Sequence, residues 1–410
     1  MSSARACLTW VITLFCIFLQ EGCGPSFKKI QLPAKNKLKA SDGSPSDHFG
    51  LAVSISGERA IVGAHGDDDN GTESGSAYIF KRASFGWDLE TKLGAIDGKE
   101  SDRFAHAVSM SGDWAIVGAR GAINRERQSG FAYVYYRSKK GWILDEKLVS
   151  REGGSYDYFG CSVDIEGERV IVGAKEAEFN GVHSGLAFVF QRDEYGWQVE
   201  AVLSPNERAE QDFFGNSVSI SGDRAIVGSH GDDDNRQQSG SAYIFRYTGG
   251  GWELEQKLLA KDGTAHDVFG QSVAISGGTA IVGAHGDSEN GKRSGSAYVF
   301  ERTKRGWIQR SKLLPQDGRS DHFFGISVSI SGGRAIVGAR GNGHKGTKTG
   351  SAYLFRRTER KWTLEAKLVA ADAARMDYFG QAVSISDGHF IVGAHGDDDN
   401  GSWSGSAYVY

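Results

Sequence analysis

Proline and methionine are scarce in this sequence, which has five prolines and three methionines among 410 residues but 57 glycines. Abundant glycine without abundant proline argues against a proline-rich disordered chain and indicates many tight turns. The net charge is −4, and charges of both signs are interspersed. Proteins that bind nucleic acid usually carry a basic stripe, and none is visible here, so we expect no nucleic-acid partner.

Cysteine is also rare and unevenly placed. The four cysteines are Cys7, Cys16, Cys23 and Cys161, so three of them fall within the first 23 residues. The body of the chain therefore holds a single cysteine and can form no internal disulfide. The spacing fits neither a zinc site nor a disulfide scaffold.

The N-terminus has the pattern of a targeting segment. Arg5 precedes an apolar run of 12 residues, from Leu8 to Leu19, which is too short to span a bilayer comfortably. The following residues resemble a bacterial lipoprotein processing site, and Gln20 departs from the branched aliphatic residue expected there. We predict a signal peptide over residues 1–22, lipid attachment at Cys23 and a short linker over 23–25. The alternative is an ordinary secretory signal with an incidental cysteine.

One 55-residue unit repeats seven times in the remainder of the chain. Phenylalanine recurs at this interval, and glycine follows it in six of the seven units; the phenylalanines are Phe49, Phe104, Phe159, Phe214, Phe269, Phe324 and Phe379. Tryptophan recurs with the same period at Trp87, Trp142, Trp197, Trp252, Trp307 and Trp362. Self-similarity at a fixed period is the signature of a repeat architecture.

Each unit has the pattern of four short strands. In the first unit we predict strands over residues 49–55, 60–64, 76–82 and 87–93, because apolar and small residues alternate or β-branched residues cluster there. Residues 65–75 form a long polar, glycine-rich loop between the second and third strands. A link of ten residues then leads to the next unit.

Four antiparallel strands repeated seven times predict an all-β fold, a seven-bladed β-propeller over residues 26–410. The last unit stops after its third strand, and the missing fourth strand is expected at the N-terminus. Lys37-Leu38 aligns with Lys257-Leu258, four periods away, and Leu32 takes the tryptophan position. We therefore expect one blade to be built from both ends of the chain.

In such a blade the long loops and the blade-to-blade links share one face, where function usually lies. Four of the long loops are acidic. The candidate ligand-facing residues are Asp67, Asp68, Asp69, Asp232, Asp233, Asp234, Asp287, Glu289, Asp397, Asp398 and Asp399. Carboxylates suit Ca²⁺, but the calcium-loop spacing is incomplete, with Gly66 in the first ligand position. A solvated turn in which Asp and Asn cap their own backbone is the interpretation we favour, and no cofactor is expected.

Two further series lie at loop boundaries on the same face. A candidate ring at the channel mouth consists of His65, Arg120, Lys175, His230, His285, Arg340 and His395, all of which can be cationic. The second series lies two residues before each phenylalanine and consists of Asp47, Asp102, Asp157, Asp212, Asp267, His322 and Asp377. These groups could form structural ion pairs and turn caps. Alternatively, the ring could form an anion-attracting funnel in which four histidines add pH sensitivity.

Catalysis has little support in the sequence. The most variable inner-strand position holds His106 and Cys161 in neighbouring units, so a thiol–imidazole pair is conceivable. A buried, inert cysteine is the simpler interpretation. The chain has no G-x-S-x-G motif, no H-E-x-x-H motif and no phosphate-binding loop.

The repeated pairs resemble the FG-GAP repeat family, which includes the N-terminal propeller of integrin α chains and many bacterial surface proteins. Phe49-Gly50 with Gly63-Ala64 matches its hallmark, and the matches continue to Phe379-Gly380 with Gly393-Ala394. The resemblance implies extracytoplasmic interaction or adhesion. His65 replaces the proline of the hallmark, and a tight turn at residues 56–59 stands where integrin-type calcium loops lie. Calcium binding is therefore not carried over, and the chain looks closer to the short-turn bacterial type.

Our leading hypothesis is an exported, monomeric, non-enzymatic propeller that binds a protein or a glycan through its long-loop face. It would be a lipoprotein of the cell surface, outer membrane or periplasm, or a secreted protein, with membrane contact only through a lipid anchor. The alternative is a lyase or hydrolase acting on glycans, with a pocket at the channel mouth. A third possibility is a structural or assembly protein without a small ligand.

Overall fold

A computed structural model describes residues 29–32, 37–124, 127–150, 156–207, 209–343, 347–359 and 361–410. These residues form short strands, tight turns and loops, with no helix among them. The predicted signal peptide over 1–22, the linker over 23–25 and Cys23 lie outside this part of the chain. No helix of the described residues is long and apolar enough to cross a membrane.

Seven antiparallel sheets follow one another along the chain as the predicted blades. The first two strands in the chain are β1 (Lys29–Leu32) and β2 (Lys37–Leu38). Blade 1 contains β3 (Ala52–Ser56), β4 (Arg59–Ala64), β5 (Ser76–Ala83) and β6 (Gly86–Leu93). Blade 2 contains β7 (Phe104–Ser111), β8 (Trp114–Ala119), β11 (Phe131–Ser138) and β12 (Gly141–Leu148), and its long loop carries a hairpin of β9 (Ile123–Asn124) and β10 (Arg127–Gln128).

Blades 3 to 5 repeat this pattern. Blade 3 contains β13 (Phe159–Glu166), β14 (Arg169–Ala174), β17 (Leu186–Asp193) and β18 (Gly196–Leu203), with a loop hairpin of β15 (Glu178–Phe179) and β16 (Val182–His183). Blade 4 contains β19 (Phe214–Ser221), β20 (Arg224–Ser229), β21 (Ser241–Tyr247) and β22 (Trp252–Leu258). Blade 5 contains β23 (Ser272–Ser276), β24 (Thr279–Ala284), β25 (Ser296–Thr303) and β26 (Gly306–Leu313).

The last two blades differ because the N-terminus joins them. Blade 6 contains β27 (Phe324–Ser331), β28 (Arg334–Ala339), β29 (Ser351–Arg357) and β30 (Trp362–Ala370). Blade 7 contains β31 (Val383–Ser386), β32 (His389–Ala394) and β33 (Ser406–Val409), and β2 is its fourth strand. Lys37 pairs with Tyr408 and Leu38 with Ala407 in antiparallel register. This confirms the predicted closure of the ring.

The position of Leu32 was predicted wrongly. We expected Leu32 to align with the tryptophans in the outer strand of blade 7, but β1 pairs in parallel with β30, where Leu32 faces Ala370. Blade 6 therefore has five strands in the order β1-β30-β29-β28-β27. The outer strand of a blade leaves one edge of hydrogen-bonding groups unpaired, and β1 covers that edge on blade 6.

The core consists of seven apolar layers, each between two neighbouring blades. The repeated phenylalanines are fully buried, and Phe49 packs edge-on against Tyr78 at 5.4 Å between ring centroids. Gly50 follows in a left-handed conformation (φ 90°), and a Cβ there would lie 2.2 Å from the carbonyl oxygen of Ser406 in blade 7. Phe-Gly therefore marks the place where one blade contacts the backbone of the preceding one.

Serines of the inner strands add polar contacts between blades. The backbone N–H of Met110 in blade 2 donates to Oγ of Ser54 in blade 1 at 3.2 Å, and equivalent bonds recur around the ring. In blade 3 Asp164 replaces the serine, accepts from Ser109 Oγ at 2.7 Å and accepts from the Ile220 N–H at 2.8 Å. The small inner-strand residues thus allow neighbouring blades to pack closely, and their hydroxyl groups form hydrogen bonds between these blades.

Candidate functional site

The acidic loops begin with an aspartate that is buried in the blade. The carboxylate of Asp67, which is 3% exposed, accepts from Ser76 Oγ at 3.0 Å and contacts the Tyr78 hydroxyl at 2.9 Å. Asp232 repeats this arrangement in blade 4 with Ser241 and Tyr243, both at 2.9 Å. Asp287 and Asp397 are equally buried. These four aspartates therefore hold the loop to the strand that follows it.

In each of these four blades a lysine of the outer strand neutralises the buried carboxylate. Lys92 Nζ lies 3.0 Å from Asp67, 2.7 Å from Asp42 and 2.5 Å from Asp69. The same role belongs to Lys257 for Asp232, Lys312 for Asp287 and Lys37 for Asp397. Burial disfavours the ammonium of Lys92, but the hydrogen bonds that it donates to its carboxylate partners outweigh that effect and raise its pKa. We call each such set of aspartate, tyrosine and lysine a loop anchor.

Blade 3 lacks all three residues of the loop anchor. Ala177, Phe188 and Val202 stand where blade 1 has Asp67, Tyr78 and Lys92. Phe188 is 2% exposed and packs in the apolar layer between blades 2 and 3. A buried polar network is favourable only when every member is satisfied, so the joint loss of all three residues is physically consistent. The buried aspartates of the acidic loops therefore belong to a structural network that blade 3 replaces with apolar residues.

The carboxylate at the second position of a loop has a partner within the loop, and the one at the third position pairs with the anchor lysine. Asp68 accepts from the Glu73 N–H at 2.7 Å, and Asp398 accepts from the Trp403 N–H at 2.8 Å. Asp233 accepts from the Gln238 N–H in the same way. Asp234, Glu289 and Asp399 pair with the anchor lysines Lys257, Lys312 and Lys37. The carboxylates therefore serve mainly to order their own loops.

One group of carboxylates has the geometry of a cation site. Single oxygens of Asp42, Asp67 and Asp69 all lie within 4.8 Å of one another. Lys92 Nζ, however, is within 3.0 Å of all three residues. An ammonium already fills the space between these oxygens, so the residues present do not fit Ca²⁺ unless Lys92 withdraws.

The series of residues two before each phenylalanine caps the blade-to-blade links. Asp47 accepts from the Ser44 N–H at 2.7 Å, and the same bond to the residue three before recurs at Asp102, Asp212, Asp267 and Asp377. Burial raises the pKa of Asp47, Asp212 and Asp377 to about 6, although the backbone hydrogen bond opposes it. The turn-cap interpretation describes these five residues.

The ring residues follow the ends of the second strands and stack on a second set of residues. That set precedes the repeated phenylalanines, and we call it the collar: His48, Arg103, Tyr158, Phe213, Val268, Phe323 and Tyr378. His65 stacks on His48 at 5.2 Å, His230 on Phe213 at 5.0 Å and His395 on Tyr378 at 5.3 Å.

Every collar residue has a left-handed backbone, with φ between 52° and 56°. Such angles are strained for residues other than glycine, and most of all for a β-branched residue such as Val268. Hydrogen bonds from the collar N–H groups to the preceding blade's long loop hold this conformation, as from Arg103 to Glu73 O at 2.9 Å and from Tyr378 to Lys348 O at 3.2 Å. These hydrogen bonds therefore fix the collar at the boundary between loop and channel.

The ring histidines are neutral at physiological pH. Burial lowers the pKa of His65 and His395 to about 3 and that of His230 and His285 to about 4, and nearby positive groups add to the effect. The Nδ1 atoms of all four are buried and have no hydrogen-bond partner among the described residues. Arg120 and Arg340 are therefore cations of the ring, since guanidinium stays protonated even in buried positions, and Lys175 is its third basic residue.

Inner strands from all seven blades enclose a channel cavity of about 340 Å³ below this ring. The residues that face it at the variable position are Leu51, His106, Cys161, Asn216, Gln271, Ile326 and Gln381, and Arg120 and Lys175 also line it. The Cys161 thiol contacts the carbonyl oxygens of Gly173 and Gly215 at 3.5 and 3.6 Å, and burial raises its pKa. The cavity is thus polar, and its thiol is not activated.

Blade 7 adds a tryptophan that breaks the repeat. Trp403 stands where other blades have Glu73, Gln128, His183, Gln238, Arg293 and Lys348. Its ring lies 5.6 Å from His48, 5.7 Å from His395 and 5.6 Å from Tyr378. Blades 7 and 1 therefore present a continuous aromatic patch at the channel mouth.

A larger open cleft of about 730 Å³ lies on the opposite face, between two tight turns of blade 6. Arg334, Arg356 and Glu359 are among its lining residues, and one blade supplies all of them. Of these two cavities, only the one at the channel mouth is lined by residues of several blades. The mouth is therefore the stronger candidate site.

Sequence reasoning located the ring but missed the collar and Trp403. The signal was present, because four of the seven residues that precede the repeated phenylalanines are aromatic: Tyr158, Phe213, Phe323 and Tyr378. Trp403 was visible as the one aromatic residue at its repeat position. Their proximity to the ring depends on left-handed backbone angles, which the sequence alone does not reveal outside glycine.

Comparison with known proteins identifies the repeat. The family model described as FG-GAP repeat matches seven segments, at residues 34–80, 87–135, 142–190, 197–245, 252–300, 307–355 and 362–410. No curated protein matches the sequence. Among solved structures, the chain is similar to the crystal structure of Saccharomyces cerevisiae Sqt1, with 11% identity and a TM-score of 0.49 over 93% of this chain and 99% of that one.

Proposed function

Since the chain belongs to the FG-GAP repeat family, a propeller of the binding type, we propose that it is an exported, non-enzymatic binding module. Its ligand, a protein or a glycan, lies on the long-loop face over the channel mouth. The module acts in interaction or adhesion outside the cytoplasm. It works as a monomer, since each blade already has neighbours on both sides within one closed ring.

The observation that carries this proposal is the contrast between the mouth and the rest of the repeat. Elsewhere carboxylates such as Asp67 and Asp47 are paired in loop anchors and turn caps. At the mouth the side chains differ from blade to blade, rigid aromatic rings face solvent in part, and the buried Nδ1 atoms of the ring histidines have no partner within the described part of the chain. Unpaired polar groups beside exposed aromatic rings are features of ligand-binding surfaces.

The carboxylates of the acidic loops are better suited to holding their own loops in place than to contacting a ligand. Each buried aspartate and its anchor lysine bind one another, and the exposed aspartates accept from backbone N–H groups of their own loop. A ligand would have to break these bonds to use the carboxylates. We therefore place the ligand on the collar, the ring and Trp403 rather than on the acidic runs.

A direct test compares the wild-type chain with two variants on a glycan array and on a panel of purified surface proteins. The mouth variant carries Tyr378→Ala and Trp403→Ala, and the matched loop variant carries Asp68→Asn and Asp398→Asn. We expect the mouth variant to lose binding and the loop variant to keep it, while both retain the wild-type melting temperature. Binding that survives in the mouth variant and disappears in the loop variant would contradict the proposal.

Export rests on the N-terminal pattern. We propose that residues 1–22 are removed and that Cys23 carries the lipid anchor, since several acyl chains at about 0.8 kcal/mol per buried CH₂ anchor a protein stably. Mass spectrometry of the mature N-terminus checks this. An unmodified Cys23, or cleavage at another position, rules out the anchor.

A further inference from the structure

We propose that Arg120 and Lys175 form a carboxylate-binding subsite in the channel mouth, which receives one uronic acid residue of an acidic glycan. The inference rests on the proposed function, because it names the ligand class for the same mouth. It concerns the sector of blades 2, 3 and 4, whereas the aromatic patch with Trp403 lies at blades 7 and 1.

The first argument is the unpaired charge of Arg120. Its side chain is partly buried, its buried Nε has no hydrogen-bond partner, and it forms no ion pair among the described residues. Burial and the nearby Arg103 guanidinium lower its pKa, so its surroundings are unfavourable to a cation. A partly buried charge without a partner is less stable than a paired one, and an anionic ligand would supply the missing partner.

Lys175 of the neighbouring blade adds a second cation to the same cavity. Its nearest carboxylate, Glu176, is 4.0 Å away and 38% exposed, so it compensates the ammonium weakly. The Cys161 thiol lies close enough to both cations that each of them affects its pKa. The walls of the cavity include no aspartate or glutamate among the described residues. Arg120 and Lys175 therefore face a space of net positive charge.

The surroundings favour a sugar ring as the carrier of the carboxylate. Lys175 Nζ lies 5.7 Å from the ring centroids of both Tyr158 and Phe213, so two rigid aromatic residues flank the subsite. Asn216, Gln271 and His106 line the cavity below, and the buried Nδ1 of His106 has no hydrogen-bond partner among the described residues. Aromatic side chains together with amide and imidazole groups suit the apolar carbons and the hydroxyls of a pyranose.

The size of the cavity also limits the ligand. About 340 Å³ lies at the lower end of ligand pockets, which span roughly 300–1,000 Å³. It can admit one small charged unit of a longer chain, while the remainder extends over the loops. An Asp-rich peptide shares the carboxylate but has no pyranose ring to contact the aromatic residues that flank the subsite, so we favour the glycan and treat the peptide as an outcome of the test.

Calorimetry with tetrasaccharides of galacturonate and of glucuronate tests the subsite. Their methyl esters keep the ring and remove the charge, and hexa-aspartate supplies the charge without the ring. We expect one acidic tetrasaccharide to bind the wild-type protein at least about tenfold more tightly than its ester, the size of one charge-assisted hydrogen bond. Arg120→Gln and Lys175→Gln should abolish that ratio, and Lys175→Arg should keep it.

The matched control is Lys304→Gln, which removes an exposed cation from a tight turn on the opposite face and should bind as wild type does. Equal binding of acid and ester, a ratio that survives Arg120→Gln in a folded variant, or tighter binding of hexa-aspartate would overturn the inference. So would the absence of binding to both acidic tetrasaccharides. In that event the proposed function still stands if the Tyr378 and Trp403 variant loses binding on the arrays.

Discussion

Individual carboxylates in this protein have roles that follow from their burial and not from their place in an acidic run. Asp67 is 3% exposed and is bonded by a serine, a tyrosine and a lysine, whereas its neighbour Asp68 is exposed and caps a turn. Blade 3 shows the apolar alternative, with Ala177, Phe188 and Val202 at the equivalent positions. The chain thus contains its own comparison between a polar and an apolar loop anchor.

Replacing Lys92 by Val should destabilise the protein, because the nearly buried Asp67 would lose its counter-charge. Breaking such a pair costs about 3–5 kcal/mol, and we expect the lower end because Lys92 is 22% exposed. The triple variant Asp67→Ala, Tyr78→Phe, Lys92→Val copies blade 3 and should recover much of the loss. Urea unfolding measures both; a triple variant less stable than the single one would contradict this account.

The ring histidines should make the protein sensitive to acid. Their folded pKa values of about 3 to 4 lie below the unfolded value of 6.5, so the unfolded chain binds more protons between these limits. Stability is therefore lost as the pH falls from 6.5 towards 4. The capping carboxyls Asp47, Asp212 and Asp377 act in the opposite direction, since their pKa values are raised to about 6.

His395→Phe isolates the histidine contribution, because phenylalanine keeps the stacking on Tyr378 and cannot be protonated. We expect its melting temperature to fall less than that of wild type between pH 7 and pH 4.5. His183→Phe, which alters an exposed imidazole, serves as the control and should follow the wild-type profile. Identical pH profiles for His395→Phe and wild type would show that His395 does not limit acid stability.

Among the strands, two short ones near the N-terminus have different roles. β2 completes blade 7 through Lys37 and Leu38, and Lys37 also anchors the acidic loop through Asp397 at 2.7 Å. β1 only covers the outer edge of blade 6. The ring therefore depends on β2 for closure and gains an edge cover from β1.

Two truncations separate these roles. A chain that begins at residue 39 lacks both strands and should lose cooperative unfolding, because the layer between blades 7 and 1 loses Leu38 and the buried Asp397 loses Lys37. A chain that begins at residue 34 lacks only β1 and should unfold cooperatively near the wild-type temperature. Calorimetry distinguishes them, and an unchanged transition for the shorter chain would exclude closure by β2.

The molecule as a whole is a closed ring of seven blades whose seven apolar layers are equivalent and whose surface is not. Four blades carry full loop anchors with acidic loops, in the adjacent pairs 7 and 1 and 4 and 5. Three ring cations, Arg120, Lys175 and Arg340, lie on the remaining blades. The mouth is therefore positive in the sectors between the acidic pairs, a pattern that could orient an anionic ligand.

Calcium should not stabilise the whole ring, because lysine ammonium groups stand between the anchor carboxylates. We expect the same melting temperature in excess Ca²⁺ and in chelator. Lys92→Gln leaves the oxygens of Asp42, Asp67 and Asp69 within 4.8 Å without the ammonium, and it should gain a Ca²⁺-dependent rise. A Ca²⁺-dependent rise in the wild-type protein would contradict the structural role of Lys92.

The sequence by itself determined the number of blades, the four antiparallel strands of each blade and the closure of the ring. It could do so because an interval of 55 residues without insertion places Phe49 and its six equivalents at one position in every blade. Alternation of apolar and small residues then fixes which side of each strand packs against the neighbouring blade.

Only the tertiary structure decided the parallel pairing of β1, the burial of Asp67 beside Lys92 and the neutrality of the ring histidines. Each depends on groups far apart in the chain, such as Lys37 and Asp397, or on burial, which shifts a pKa without any change of residue type. The collar adds a local reason, because left-handed angles at residues such as Tyr378 are imposed by hydrogen bonds to another blade. The repeat thus specifies the ring, and contacts between blades specify its mouth.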